Sequence, residues 1–259
     1  MSRKLSQRKK KNHISEAAKA KDFHAFVAAP AYDGKCDIGF TNSITRAAFT
    51  APLFGVKITM SLIPGGAFID LSRNQLVQAF LKTECTHLFF IDCDLEFGPE
   101  AFIGLLRCDL PIVCGVYRKR QEKEEFPVLW MDEPKHGGMW VTDEGFINAK
   151  RIPTGFLCIR RDVVEEMAAD AIKLTLAGWL GEIPVIFETG VHEKEDGSHT
   201  FIGEDFMFSD KYVKKYDKPI PVWADIDFVH GGYEGNCAEF LNRSIYGEKP
   251  DEADETSAA

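Results

Sequence analysis

Between residues 22 and 247 the chain alternates short, unbroken apolar runs with longer stretches whose apolar residues recur at helical spacing. The first run, DFHAFVAAP, is stopped by Pro30 and reads as a buried strand, followed by AYDGKCD, a loop of turn formers. A helix is predicted from about Ile38 to Phe49, and the β-branched VKITMSLI after it predicts a second strand. Beyond the flexible PGGAFID, the residues Leu71, Leu76, Phe80 and Leu81 fall near helical spacing, so LSRNQLVQAFLKTE predicts a helix over that strand. THLFFIDCD is apolar toward both faces, as a central parallel strand should be. Gly98-Pro99-Glu100 has the make-up of a helix start leading into EAFIGLLRC, and PIVCGVY predicts a fourth strand. This order implies right-handed crossovers and an α/β fold, a mostly parallel Rossmann-like sheet with helices on both faces.

The second half keeps a looser beat. Residues 118 to 150 hold short strand-like pieces (FPVLW, GGMWV, GFINAK), and GFLCIRRDVVEEM reads as strand into helix. After a variable stretch containing VHEKEDGSHT, GEDFMFSDKYVKKY predicts a helix with acids at its start and lysines near its end, the order its dipole favours. IPVWADIDFVHGGY is expected to close the domain as one strand and a turn. A (β/α)₈ barrel fits the length, but the middle of the chain lacks its regular alternation.

Composition then narrows the setting. The chain has 259 residues, 45% hydrophobic, with a net charge of −9, and no apolar run reaches the roughly 18 to 20 residues of a membrane helix. The opening MSRKLSQRKKKNH has no apolar segment behind its basic start, which argues against Sec export. Charge is divided unevenly. Residues 1 to 22 carry eight basic side chains against Glu16 and Asp22, a net of +6, so the remainder holds 23 basic against 38 acidic, or −15. Residues 1–21 are expected to be a disordered basic arm, with a nucleic-acid anchor or peripheral contact to an anionic membrane as its functional alternatives, and 248–259 a disordered acidic tail. The seven cysteines form no C-x-x-C pair and several lie in apolar runs, which suits a reducing, cytoplasmic setting over disulfides or a cysteine zinc site.

Ligands in open α/β sheets gather at the carboxyl ends of strands, so the loop after the third strand carries the most information. Side chains alternate along extended chain, so Asp92 and Asp94 project to one side. Two nearby carboxylates repel, and a divalent cation would hold both ionised and join them to a diphosphate through hard oxygen ligands. His230, followed by two glycines, could add a nitrogen ligand, a mixture suited to manganese. Glu204 and Asp205 at a helix start are favourable for the dipole, and either could serve as a general base or acceptor contact.

The succession of a first strand ending AAP, then IDLSRNQLVQAFL, THLFFIDCDLEF, GVYRKR, PTGFLCIRR, GEDFMFSDKY and a strand leading to His230 resembles the GT-A glycosyltransferases, nucleotide-sugar-dependent enzymes with a D-x-D motif, in their bacterial, phage and viral form. The resemblance covers about residues 23 to 235. It implies a single GT-A catalytic domain over 22–247, with a nucleotide-binding half at about 22–117 and a smaller mixed acceptor half at about 118–247. It also implies Mn2+ or Mg2+ as the metal and a nucleoside diphosphate sugar as donor. By the same resemblance Pro30, Tyr32 and Asp33 would hold base and ribose, and Asp70, Arg73 and Asn74 would contact the nucleotide. Asp94 would be the direct metal ligand, Asp92 would reach ribose or metal, and His230 would complete the metal site. Gly155 would be the close-approach glycine beside the acceptor, and Asp205 with Glu204 the acidic pair serving as base or acceptor contact. One departure is that the chain has Phe208 and Ser209 where the acidic-pair motif often continues with cysteine.

The expected reaction is sugar transfer from a UDP- or GDP-sugar to a hydroxyl on a glycan, lipid or protein. A nucleotidyltransferase of similar sheet is one alternative, although AYDGKCDIG is a poor match for its Gly-rich basic loop. A catalytically silent module that binds a nucleotide sugar or glycan is another. Nucleic acid is disfavoured as acceptor, because a −15 body repels a phosphate backbone.

Overall fold

The computed structural model describes residues 22–134, 137–194 and 196–247, so the predicted basic arm over 1–21 and acidic tail over 248–259 lie outside the described residues. β1 (Phe23–Ala31) leads to α1 (Ile38–Thr50) and a short 3-10 turn (Ala51–Phe54), then to β2 (Val56–Pro64), α2 (Ile69–Leu81), β3 (His87–Ile91), β4 (Leu95–Phe97), α3 (Pro99–Arg107) and β5 (Ile112–Gly115). Next come β6 (Leu129–Trp130), β7 (Ile147–Arg151), β8 (Phe156–Arg160), α4 (Arg161–Asp170), β9 (Lys173–Leu174), β10 (Ile183–Pro184), β11 (Gly190–Glu193) and β12 (His199–Ile202). α5 (Glu204–Tyr216), β13 (Ile220–Trp223), β14 (Asp227–His230), β15 (Tyr233–Asn236) and α6 (Cys237–Tyr246) complete it.

The main sheet runs β2-β1-β3-β8-β5-β13-β7-β6. β2, β1, β3, β5, β13 and β6 run one way, while β8 and β7 run the other. The sheet is therefore mostly one-directional, as the sequence predicts, with one correction. PIVCGVY does not lie beside the third strand. β8 enters between them antiparallel to both, pairing Phe89 with Cys158 and Val113 with Cys158.

Strand alternation sorts the core into two layers. Phe26, Ala28, Leu88 and Phe90 face Leu76, Val77 and Phe80 of α2, with Val164 and Met167 of α4 and Phe208 of α5 in the same layer. Ala25, Val27, Phe89 and Ile91 face the other way, into Phe40 and Ile44 of α1 and Phe102, Leu105 and Leu106 of α3. Helices thus cover both faces, and β1 and β3 read as unbroken apolar runs because neither face is wet. No helix among the described residues is long and apolar enough to cross a membrane.

The predicted closing strand is in fact two. β13 joins the main sheet, and after Ala224-Asp225-Ile226 the chain turns into β14, which forms a small antiparallel sheet with β4 and β15. Asp225 and Asp227 both accept from the Asn236 amide, at 3.2 and 2.8 Å, which breaks the apolar alternation and fixes the bend. Gly115 lets the bend close, since a Cβ there would lie 2.8 Å from Phe156, 3.0 Å from Phe228 and 3.1 Å from Ile226. GGMWV makes isolated bridges in place of a strand, while VHEKEDGSHT, expected to be irregular, supplies the β11–β12 hairpin.

Phe156 joins the two sheets. Its ring lies 5.0 Å from Phe89 in the main sheet and 4.9 Å from both Phe97 and Phe228 in the small one. Phe156→Ala is expected to lower stability by about 3–5 kcal/mol in urea unfolding, the cost of an aromatic-sized cavity in a core. A loss near 1 kcal/mol would show that the two sheets are held together elsewhere.

Candidate active site at the carboxyl edge of the sheet

β3 and β5 end on the same edge, which leaves Asp92 and Tyr117 just beyond them, and antiparallel β8 begins there, bringing Gly155 alongside. The Asp92 N–H donates to the Gly155 carbonyl at 2.9 Å. The Tyr117 hydroxyl accepts from the Gly155 N–H at 3.1 Å and donates to Asp92 Oδ2 at 3.2 Å. A Cβ at residue 155 would sit 2.2 Å from both Asp92 Oδ2 and the Tyr117 oxygen, so only glycine permits this approach. The predicted close-approach glycine therefore makes its approach to Asp92 and Tyr117.

Arg73 reaches the same point from α2. Its Nη2 donates to Asp92 Oδ1 at 3.0 Å and its Nε to Glu204 Oε1 at 3.3 Å, with the guanidinium over the Phe90 ring at 5.2 Å. The side chain is 4% exposed. Burial opposes its charge, and Asp92 followed by Glu204 more than offset this, so the guanidinium is held in its charged form. Its Nη1 is buried without a hydrogen-bond partner among the described residues, leaving both of its N–H donors to spare.

Asp94 belongs to a second cluster. Its Oδ2 lies 3.5 Å from His230 Nε2 and 2.9 Å from Arg120 Nη1. His230 Nδ1 is 2.7 Å from the Arg118 carbonyl, an acceptor, so Nδ1 carries a hydrogen and Nε2 faces Asp94; burial disfavours the charged ring, but the Asp94 and Arg118 hydrogen bonds outweigh it and raise the imidazole's proton affinity. The Tyr117 ring stands edge-on to the imidazole at 4.8 Å and 79° and fixes its plane. Burial pushes the Asp94 carboxyl up, but the His230 hydrogen bond and the Arg120 charge leave it below its ordinary value. The expected trio of Asp92, Asp94 and His230 is not gathered as one set, and no group of three metal-ligating side chains is assembled among the described residues. β3 ends at Ile91 and the chain turns, with the Leu95 N–H donating to the Asp92 carbonyl at 3.2 Å, so the expected strand alternation does not hold, and Arg73 and Tyr117 occupy both oxygens of Asp92.

Glu204 and Asp205 open α5. Glu204 faces Arg73, whereas Asp205 bonds only the Phe206 N–H, at 2.7 Å, among the described partners of its carboxylate. Burial, followed by the adjacent Glu204 charge, pushes the Asp205 carboxyl up to about 6.

The remaining predicted residues divide by position. Tyr32 is 75% exposed and Asp33 exposed, on a loop fastened to the D-x-D segment by Asp37 N–H to the Cys93 carbonyl at 2.8 Å. Pro30 is buried in β1 opposite Ile63 of β2. Asp70 accepts from the Leu71 N–H at 2.8 Å at the start of α2. Asn74 has a different place from the nucleotide contact expected of it. Its amide donates to the Phe187 carbonyl at 2.7 Å and accepts from the Ile186 and Phe187 N–H groups at 3.0 and 2.9 Å, so it braces a buried chain segment. Residue-level reading missed Tyr117 and Arg120. Their signal was present in GVYRKR, an aromatic and three cations directly after a strand, where the strand-end rule points.

No protein-family model and no curated protein sequence matches the chain. Among solved structures, GalNAc-T7 with UDP, GalNAc and Mn2+ overlays with a TM-score of 0.41 at 11% identity, over 89% of this chain and 49% of that one, so this chain spans about half its length. The inositol-1-phosphate CTP transferase from T. maritima overlays with a TM-score of 0.40 at 12% identity, over 87% of this chain and 96% of that chain.

Removing Arg73 would leave Asp92 and Glu204 facing each other with no cation between them. Arg73→Met is expected to cost about 3–5 kcal/mol in urea unfolding, and adding Asp92→Asn and Glu204→Gln to recover much of that loss. Failure of the triple variant to recover would place the cost in packing and not in charge.

Proposed function

We propose that the protein is a metal-dependent glycosyltransferase that moves a sugar from a UDP- or GDP-sugar to a hydroxyl of a glycan, lipid or protein, with residues 22–247 as one catalytic domain. The observation that carries this reading is the Asp94–His230 pair at 3.5 Å, with Nδ1 of the imidazole fixed by the Arg118 carbonyl so that Nε2 faces the carboxylate and, once deprotonated, could share a cation with it. One hard oxygen and one imidazole nitrogen at a strand-end edge fit manganese better than magnesium, which prefers oxygen ligands throughout. A cation bound there would offset the negative charge that builds on the diphosphate as it departs.

The chain's own residues supply the rest. Arg73 and Tyr117 hold Asp92 as an oriented acceptor at the edge where a ribose or donor hydroxyl would lie. Asp205 is the base: above about pH 6 its carboxylate is free to take the proton of the acceptor hydroxyl in an inverting transfer, and in a retaining one it would orient the sugar. Glu204 keeps Arg73 in place and raises the proton affinity of Asp205.

Two measurements test this. Asp94→Ala, assayed with manganese against a panel of UDP- and GDP-sugars, is expected to lower nucleoside diphosphate release by about 100-fold or more; undiminished turnover would sink the metal assignment, and pyrophosphate as product would indicate nucleotidyl transfer. For the base, protonation of Asp205 removes its acceptor lone pair, so the rate of the native protein should fall as pH drops through about 6. Asp205→Asn should lose roughly 10²–10⁴-fold in kcat together with that acidic limb. Retention of the limb in the variant would assign it to another group.

A further inference from the structure

Arg120 is placed with care for a surface side chain. Its Nη1 lies 2.9 Å from Asp94 Oδ2, the same oxygen that faces His230 Nε2 at 3.5 Å. Its aliphatic stem rests on Gly231, where a Cβ would stand 2.5 Å from Arg120 Cδ and 3.2 Å from Cγ. Gly231 has φ +55°, and its N–H donates to the Asp94 carbonyl at 3.2 Å, so one glycine locates both partners of the ion pair. Any larger residue at 231 would push the guanidinium away from Asp94.

We propose that Arg120 holds the cation position on Asp94 in the metal-free protein, and that a divalent cation entering at Asp94 and His230 displaces its guanidinium, which then meets the diphosphate. The inference rests on the metal reading given above. Two cations on one carboxylate oxygen repel each other, and a divalent ion with a second ligand in His230 outcompetes a monovalent group with one. Release is cheap, because the Arg120 side chain is 59% exposed and Asp94 is the carboxylate it pairs with among the described residues. Arg73 makes the contrast: 4% exposed and held by two carboxylates, it stays where it is. A guanidinium freed beside a bound diphosphate has a bidentate partner in its oxygens.

The test is calorimetric titration of manganese into the full chain and into Arg120→Ala, Arg120→Lys and Asp94→Ala, followed by UDP titration at saturating manganese. Loss of an exposed competing ion pair is expected to tighten manganese binding about five- to tenfold in Arg120→Ala, with Arg120→Lys near the native value. UDP should bind Arg120→Ala several-fold more weakly once manganese is saturating. Unchanged or weaker manganese binding in Arg120→Ala, with binding lost in Asp94→Ala, would overturn the displacement and leave the metal reading standing. Manganese binding that survives in Asp94→Ala would remove the metal reading and the inference with it. Unchanged UDP affinity would overturn the transfer of the guanidinium to the phosphate.

Discussion

The site is organised around one buried positive charge. Arg73 is taken out of water by α2 and Phe90, and a guanidinium in that setting needs carboxylates with good geometry or it destabilises the fold. Asp92 from the end of β3 and Glu204 from the start of α5 meet that need, so a single cation ties three elements distant in sequence to one point. The arrangement fixes Asp92, and through Tyr117 and Gly155 it fixes the starts and ends of the neighbouring strands.

The same constraint gives neighbouring acids different characters. Asp94 is held ionised by His230 and Arg120 despite partial burial. Asp205, one residue from a charged Glu204 and with no cation bonded to it, has its proton affinity raised toward neutrality. Two aspartates from distant parts of the chain thus differ in opposite directions, one lowered by His230 and Arg120 and the other raised by burial beside Glu204.

Much of this was legible in the chain. The apolar runs that became β1, β3 and β5, the Gly98-Pro99 start of α3, and the acids and lysines at opposite ends of α5 fell where periodicity and capping rules put them. D-x-D and His230 were legible as candidates because their residue types are costly at a strand end without a partner. What escaped has a common cause, namely dependence on tertiary neighbours. Local pattern does not say that β8 inserts between β3 and β5, that Asn236 bends the final strand in two, or that Asn74 completes the backbone of Ile186 and Phe187. Nor does alternation hold through D-x-D: β3 ends at Ile91 and the chain turns, the Leu95 N–H donating to the Asp92 carbonyl at 3.2 Å, so Asp92 meets Arg73 and Tyr117 while Asp94 meets His230 and Arg120.

The position of β8 also bears on how the chain comes together. β5 has no hydrogen-bonded strand from the first half: its neighbours are β8 and β13, both encoded more than forty residues later. During synthesis, residues up to 117 can pair β1 with β2 and β3 but leave β5 unpaired, with the Asp92 edge open beside it. The division expected near residue 117 is therefore not a boundary of folding. The sheet acquires its continuity, and Asp92 its backbone tie to Gly155, only when the segment through Arg160 is in place. That long-range closure makes assembly of the site one of the later, slower events of folding, and it leaves no stage at which residues 22–117 complete their part of the sheet without the segment that follows them.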